Sequence, residues 1–425
     1  MSLIIFIITV IILILSIILK PKIYRFQTYY IVAIIGALAM IAFRQISFKE
    51  IYESLFNNPL ISPIKILVLF FTMTFLSIVC DTLGFFNYIA YKAVRIAGNN
   101  QYILFTILYA LICLVTIFTS NDIIILTFTP FIIYFSKRSG INPIPYLIME
   151  FSAANTASMM LVVGNPTNIL LSLSNNISFM EYLKNMWLIT IIAIICLYIL
   201  LIIIFHKSLN TGILINLSEE APSLNKIPVI ISLLHLLLST ILLAISNYID
   251  LEMYLITLTL SISLLLFLSI YIIITKKEKN ILHQSFKRLP YALIPFLISM
   301  FILVEAININ GYTEKLSKLL TNGCDSYSYG ITSYLFCNGM NNIPMSVLFS
   351  NVLSYNSTAD AIYATIIGSN LGAYLTPLGA LAGIMWLNIL KAYNIDFKFK
   401  DFIKYGIITS MPILLISISI LFIIW

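Results

Sequence analysis

Gly164-Asn165-Pro166-Thr167-Asn168 closes an apolar run, 145–163, whose only charged residue is Glu150. In the second half of the chain, Gly368-Ser369-Asn370-Leu371-Gly372 closes another such run and leads on to Pro377. Glycine relaxes the backbone, and proline removes a hydrogen-bond donor. Each stretch is therefore predicted to unwind a helix within an apolar environment, the first over 164–168 and the second over 368–377. Unwinding frees carbonyls that can hold a cation or a hydroxyl. It also aims a half-helix N-terminus, with its partial positive charge, at an anion or polar ligand. Asn and Thr side chains supply both donors and acceptors.

Two more interruptions lie upstream of these. Ser120-Asn121-Asp122 and Asn341-Asn342 each sit between two apolar runs. The adjoining runs are either full spans or re-entrant arms, since both return the chain to its starting side. The shortness of 334–337, which follows a polar, Tyr-rich stretch, favours re-entrant hairpins. Unpaired backbone is costly in lipid, so such a tip must be buried in protein or line a wet cavity.

The rest of the chain agrees with a membrane setting. Of 425 residues, 60% are hydrophobic and 10% are charged, too few charges to cover a soluble domain. Full spans are predicted at 3–19, 28–43, 63–80, 184–205, 227–246, 253–275, 290–306 and 403–425. The run 3–19 reads as a span rather than a cleaved signal, because no positive region precedes it and no small-residue cleavage site follows it. The net charge of +7 reflects Lys and Arg crowded into short loops, as topology signals are, rather than a nucleic-acid surface. Five cysteines, Cys80, Cys113, Cys196, Cys324 and Cys337, show no CxxC or Cys/His metal spacing and read mostly as small buried hydrophobes. No metal or cofactor is expected. The three histidines, His206, His235 and His283, are placed at loops or near span ends.

The basic residues also set sidedness. The cluster Lys276, Lys277, Lys279, Lys287 and Arg288 places its loop inside, and the cation-free turn 247–252 lies outside. The 206–226 loop, Lys137 with Arg138, Lys92 with Arg95, the run Lys20 to Arg25, and 391–404 then fall inside, with 355–360 outside. Arg44 and Lys49, beside Glu50 and Glu53, are the exception. Both termini fall outside.

One order of features occurs twice. A span ending in an acid (63–80 with Asp81; 290–304 with Glu305) leads to an amphipathic stretch, an Asn-bearing tip between apolar runs, a breaking helix and a final span. The two leading spans run in opposite directions. The predicted fold is an all-α polytopic membrane protein built as two inverted repeats with re-entrant hairpins and broken helices. It forms one transport domain, 1–425, with leading helices to 62, repeats at 63–205 and 290–425, and a connection at 206–289. In such an architecture the substrate site lies at mid-membrane, where discontinuous helices meet.

The predicted substrate-binding residues of the first repeat are Ser120, Asn121, Asn155, Thr156, Ser158, Gly164, Asn165, Thr167 and Asn168. Those of the second are Asn341, Asn342, Gly368, Ser369, Asn370 and Thr376. Ionisable residues inside apolar runs are functional candidates, so Asp122 and Glu150 are predicted to carry a coupling proton. Asp81 and Glu305 lie at span ends, where an interfacial role is expected. Arg25, Arg44, Arg95, Arg138 and Arg288 all fall in loops, and no Lys lies in a break. A site without a fixed cation suits a neutral hydroxylated solute or a cation. A multivalent anion would need helix dipoles or a co-bound Na⁺. The absence of GxxxxGK[ST] excludes a primary pump within the chain.

At these motifs the sequence resembles the ArsB-type arsenite permeases of the ion-transporter superfamily. The resemblance covers most of the chain. It rests on DTLGFF (81–86), TSNDIIILTFTP (119–130), ANTAS (154–158), NNIP (341–344) and GSNLGAYLTPLGALAGIMW (368–386). It implies a plasma-membrane exporter of arsenite and antimonite, working as a proton-coupled antiporter, alone or with a separate soluble ATPase subunit. A homodimer is compatible with it. Asn155 stands where many such permeases carry Asp. GNPTN (164–168), preceded by Glu150, looks more like the related sodium/proton antiporter and anion-permease branches. A Na⁺/H⁺ antiporter or a coupled carboxylate transporter is therefore the second reading, and a non-transporting membrane scaffold the third.

Overall fold

The computed structural model describes residues 1–19, 28–57, 63–211, 224–321, 323–356 and 358–425. Lys20, Lys22 and Arg25, most of the 206–226 loop, and Ser357 lie outside the described residues. Twenty α-helices and no strand occur among those residues, and seven helices are long and apolar enough to cross a membrane.

Two leading helices, α1 (Ser2–Leu19) and α2 (Thr28–Ala42), precede the short α3 (Phe48–Tyr52). A capping box starts α3: the Ser47 hydroxyl accepts from the Glu50 N–H, while the Ser47 N–H and hydroxyl donate to the Glu50 carboxylate. These bonds hold the Glu50 carboxyl below the usual range.

The first series then runs α4 (Pro63–Thr82), α5 (Phe85–Ala97), the hairpin α6 (Gln101–Phe118) and α7 (Asn121–Ser139), the broken pair α8 (Ile144–Ala157) and α9 (Pro166–Ser174), and the long α10 (Phe179–Leu209). After α11 (Lys226–Ala244), α12 (Met253–Thr275) and α13 (Ile281–Arg288), the order recurs. The second series is α14 (Leu293–Ile309), α15 (Tyr312–Leu320), the hairpin α16 (Asp325–Met340) and α17 (Asn342–Asn356), the broken pair α18 (Ala359–Gly372) and α19 (Leu381–Ala392), and α20 (Phe399–Ile424).

Apolar residues alone do not decide which face of a span is inside the protein. In α10, Ile189, Ala193, Leu197 and Leu201 are buried, while Ile191, Ile195, Ile199 and Ile203 are exposed. Both sets are apolar, and the i,i+4 spacing turns one stripe inward and the other to lipid. In α5 the buried Phe86, Ala90, Ala93, Val94 and Ala97 form a single face, as expected of an amphipathic helix.

Long-range contacts join segments that the basic residues put on one side. Lys65 meets Glu252 at 2.5 Å outside. Inside, the Gln101 amide donates to the Thr211 carbonyl (2.8 Å), and Lys137 donates to the Tyr393 carbonyl (2.7 Å). Asn185 and Tyr363 meet at 2.8 Å near the outer ends of α10 and α18. The hairpin α6–α7 and the helix α8 therefore start from the side that the basic residues mark as inside, and α16–α17 and α18 start from the opposite side. The two series are inverted, and they interlock: α7 packs on α19, and α17 packs on α9.

Two expectations need correction. The second hairpin is not short-armed: the Tyr-rich stretch is itself helical, so α16 has 16 residues and α17 has 15. Its Tyr and Ser side chains bond inward, as Tyr334 does to Ser410 at 2.6 Å, so polarity there does not signal a loop. His235 lies not near an end but mid-way along α11, where it bonds Ser263 of α12 at 3.1 Å.

Candidate functional site

The first break is longer and earlier than its motif suggests. α8 stops at Ala157, six residues short of the expected end of its run, and 158–165 forms a compact non-helical turn containing one 3₁₀ segment (Val162–Gly164). Gly164 permits the fold-back: a Cβ there would lie 2.3 Å from the Ser158 carbonyl oxygen. Asn165 then restarts the helix, its side chain accepting from the Thr167 N–H (3.2 Å) with Pro166 at the first helical position. Thr167 and Asn168 therefore lie in the first turn of α9, not in unwound chain.

The second break also moves. Gly368, Ser369 and Asn370 are helical, and the chain is unwound only over 373–380. The glycines act through contact instead of flexibility. A Cβ on Gly368 would sit 2.0 Å from Ser333 Oγ and 2.4 Å from the Gly330 carbonyl oxygen, both on α16. Gly368 thus lets α16 and α18 cross in backbone contact.

Each tip is held by the broken helix of its own series. Asn121 donates to Asn155 Oδ1 (3.0 Å), and Asn155 donates to the Phe151 carbonyl (2.8 Å). Asn155 stands about 16 Å along α8 from its inside end, roughly half a bilayer core, so this hairpin is re-entrant. Asn341 adopts φ 78° and ψ 152°, outside the left-handed helical well and in a region that ordinarily favours glycine. It donates to the Leu378 carbonyl (3.2 Å), and the Asn342 N–H donates to the Gly379 carbonyl (2.8 Å).

Asn370 joins the two series. Its Oδ1 accepts from the Ser158 hydroxyl (3.0 Å) and the Asn165 amide (2.9 Å). Its Nδ2 donates to Asn168 Oδ1 (2.7 Å) and to the Ile366 carbonyl (2.8 Å). Asn168 in turn donates to the Ser158 carbonyl (2.8 Å) and the Leu161 carbonyl (3.2 Å) of the first break. All four side chains are buried. Nearby, Thr156 meets the Tyr374 hydroxyl (3.2 Å), and Ser369 meets Ser346 (3.4 Å). The Thr167 hydroxyl is buried without a partner, and the Ser120 side chain makes no capping bond.

Not every expected residue joins this junction. The Thr376 hydroxyl and N–H both donate to Asn338 Oδ1 (2.7 and 3.1 Å), so Thr376 fastens the second break to α16. Glu150 is fully enclosed, accepting from Thr129 of α7 (3.0 Å) and from the Trp386 indole of α19 (3.2 Å). It clamps three helices from both series. Glu150→Ala leaves the Thr129 hydroxyl and the Trp386 N–H unpaired in a dry core. The expected loss is about 2–4 kcal/mol of stability, read as a lower melting temperature of the purified protein. Asp122 is different: it is partly buried at the first tip, within electrostatic reach of Tyr29 on α2.

Sequence reading missed Asn338, Tyr374, Thr129 and Trp386. Asn338 stands one helical turn before Asn341, a spacing that places both on one face, and the other three lie inside or beside the quoted motifs. Tyr182, which donates to the Met159 carbonyl of the first break at 2.9 Å, carries no sequence signal.

The N-termini of α7, α9, α17 and α19 all start at tips or breaks. Four partial positive ends, several unwound carbonyls and a set of neutral amides and hydroxyls thus belong to the tips and breaks, which hold no Lys or Arg. Two inverted series of broken helices that meet in this way make a multi-pass membrane transporter. A family model described as a citrate transporter matches residues 14–361, and the chain belongs to that family. Similar proteins include an arsenical pump membrane protein of Escherichia coli, 26% identical over 369 residues, covering 83% of this chain and 84% of that one. A putative arsenical pump membrane protein of Bacillus subtilis is 24% identical over 379 residues (82% and 84%). An uncharacterised transporter of Synechocystis is 20% identical over 426 residues (93% and 92%). The chain is a multi-pass transporter of the plasma membrane.

Proposed function

We propose that this transporter exports arsenite and antimonite across the plasma membrane in exchange for protons. The observation that carries this reading is the Asn370 junction: neutral amides and hydroxyls from both series, buried together without a fixed cation. Arsenite is an uncharged trihydroxide at neutral pH, and its three O–H groups match such a lining of acceptors and donors. The similar proteins named as arsenical pumps support the same substrate class. Asp122 is the leading proton carrier, because it sits at a tip and is only partly buried. Glu150 is a second one, released when the clamp on Thr129 and Trp386 opens. The repeats 63–205 and 290–425 work as the two halves of one domain, on their own or with a soluble ATPase subunit or a second copy.

The test is arsenite flux in proteoliposomes under an imposed proton gradient. Asp122→Asn is expected to lower proton-driven flux about a hundredfold, roughly 2.7 kcal/mol at the coupled step, at unchanged protein level. Unchanged flux in that variant removes Asp122 from the mechanism.

A second reading is Na⁺- or H⁺-coupled transport of a carboxylate. It is favoured by the four helix N-termini at the tips and breaks and by the family's description as a citrate transporter. Citrate uptake driven by a Na⁺ gradient, without arsenite flux, would establish it over the first.

A further inference from the structure

A cavity beside the basic cluster of α13 lies apart from the Asn370 junction. It measures about 690 Å³ and is walled by Asp81 and Thr82 of α4, Thr127 and Phe131 of α7, and Lys287 and Arg288 of α13. Its charged residues put it at the inside face, where the basic cluster of α13 lies. Its α7 wall leads toward the first tip. Asp122, Leu126 and Pro130 follow one another at four-residue spacing, and all three are only partly buried, while 123–125 and 127–129 are buried. That stripe runs about 12 Å along the helix. Pro130 has no N–H, so the Leu126 carbonyl at the cavity lacks its helical partner. The wall between cavity and tip therefore offers polar stations.

At the mouth stands one ion pair. Arg288 bonds the Asp81 carboxylate through Nη2 and the Thr82 hydroxyl through Nη1 (3.2 Å). It ties the inner end of α4 to α13. The Asp81 side chain is 5% exposed and that of Arg288 is 30% exposed. Asp81 Oδ1 is buried without any partner, as is the Thr127 hydroxyl. A half-satisfied buried carboxylate is costly, and removing its one cation inside dry protein costs more. Here an open, polar cavity adjoins the pair. A small movement of α13 lets water reach Asp81 Oδ1 and replace what the guanidinium provides. A gate requires two such arrangements, one paired and one hydrated.

We propose that this cavity is the inside entrance to the hairpin tip and that Asp81–Arg288 is its gate. Paired, the two residues hold α13 against α4, and the Thr127 hydroxyl on the α7 wall stays covered. Separated, they admit water and solute along that wall toward Asp122. The gate rests on the reading of the tips as the transport site.

The experiment uses Thr127→Cys as a reporter, read as its labelling rate by a membrane-impermeant maleimide, with the unsubstituted protein as background. Labelling is expected in inside-out vesicles and not in right-side-out vesicles. Adding Arg288→Gln is expected to raise the rate about tenfold, the effect of losing ~1.4 kcal/mol of closure. Exchanging the charges, with Asp81→Arg and Arg288→Asp together, is expected to return the rate to that of Thr127→Cys alone. This exchange also shows that the first effect is not a general loosening of the fold. No labelling from inside in any background, or the same rate with and without Arg288→Gln, overturns the gate. Absence of arsenite and citrate flux in the unsubstituted protein would overturn the transport reading while leaving the labelling results standing.

Discussion

Gly368→Val is expected to leave little folded protein in the membrane. The α16–α18 crossing is set by the absence of a side chain at this position. The first added carbon would already lie 2.0 Å from Ser333 Oγ and 2.4 Å from the Gly330 carbonyl oxygen. The Ser333 hydroxyl can rotate away, but the Gly330 carbonyl is backbone and cannot. The helices must separate, and the Cys337 thiol, which lies 3.7 Å from the Ser369 carbonyl, loses its seat. Membrane helices associate through close packing more than through hydrophobic expulsion, so a lost crossing is not recovered elsewhere. The expected loss is about 3 kcal/mol or more, measured as the monodisperse fraction of detergent-extracted protein. Gly339, on α16 one residue before its end, is the control: nothing lies within 4 Å of a Cβ there. Gly339→Ala is expected to be neutral or to stabilise the helix by about 0.5–1 kcal/mol. Equal losses from both substitutions would mean that glycine flexibility, and not contact, matters at Gly368.

Asn370→Ala is expected to have the second-largest effect, and it reaches function as well as stability. One amide serves Ser158, Asn165 and Asn168 at once. Its removal leaves three buried polar side chains short of a partner, at about 1–3 kcal/mol each before relaxation. The first break and α18 are then no longer joined. Both melting temperature and flux should fall. Asn168→Ala should fall less far, because Asn370 keeps its bonds to Ser158 and Asn165. Flux in Asn370→Ala close to that of the unsubstituted protein would exclude the junction from the transport path. Asn370→Asp separates the two roles: it keeps both acceptors but loses the donors to Asn168 and Ile366, and it adds a charge that should repel an anion and spare a neutral trihydroxide.

The expectations that held come from residues whose effect is local. An apolar run of eighteen or more residues has one stable form in lipid, a helix, because no other local structure pairs its own backbone groups there. The half-helix N-terminus expected at the first break forms at Asn165 and Pro166, for reasons contained in those two residues. The corrections have the opposite origin. Gly368 reads as a helix breaker until α16 is seen against it. The Tyr-rich stretch before Tyr334 reads as a loop until Ser410 is found at its hydroxyl. The partners of Glu150, Thr129 and Trp386, are likewise visible only once α7 and α19 are packed against α8.

Read without its neighbours in space, the chain is already a bundle of membrane helices whose order of features occurs twice in opposite directions, with four interruptions rich in Asn among apolar runs. Composition, period and charge suffice for these, since each acts over one turn or one span. Packing alone makes Asn370 the shared partner of Ser158, Asn165 and Asn168, gives Asn121 and Asn341 different kinds of partner, and puts Asp81 and Arg288, 207 positions apart in the chain, in the wall of one cavity. Amide and carboxylate groups bond whatever correct donor or acceptor packing brings within about 3 Å, and a linear sequence does not say which residue that is.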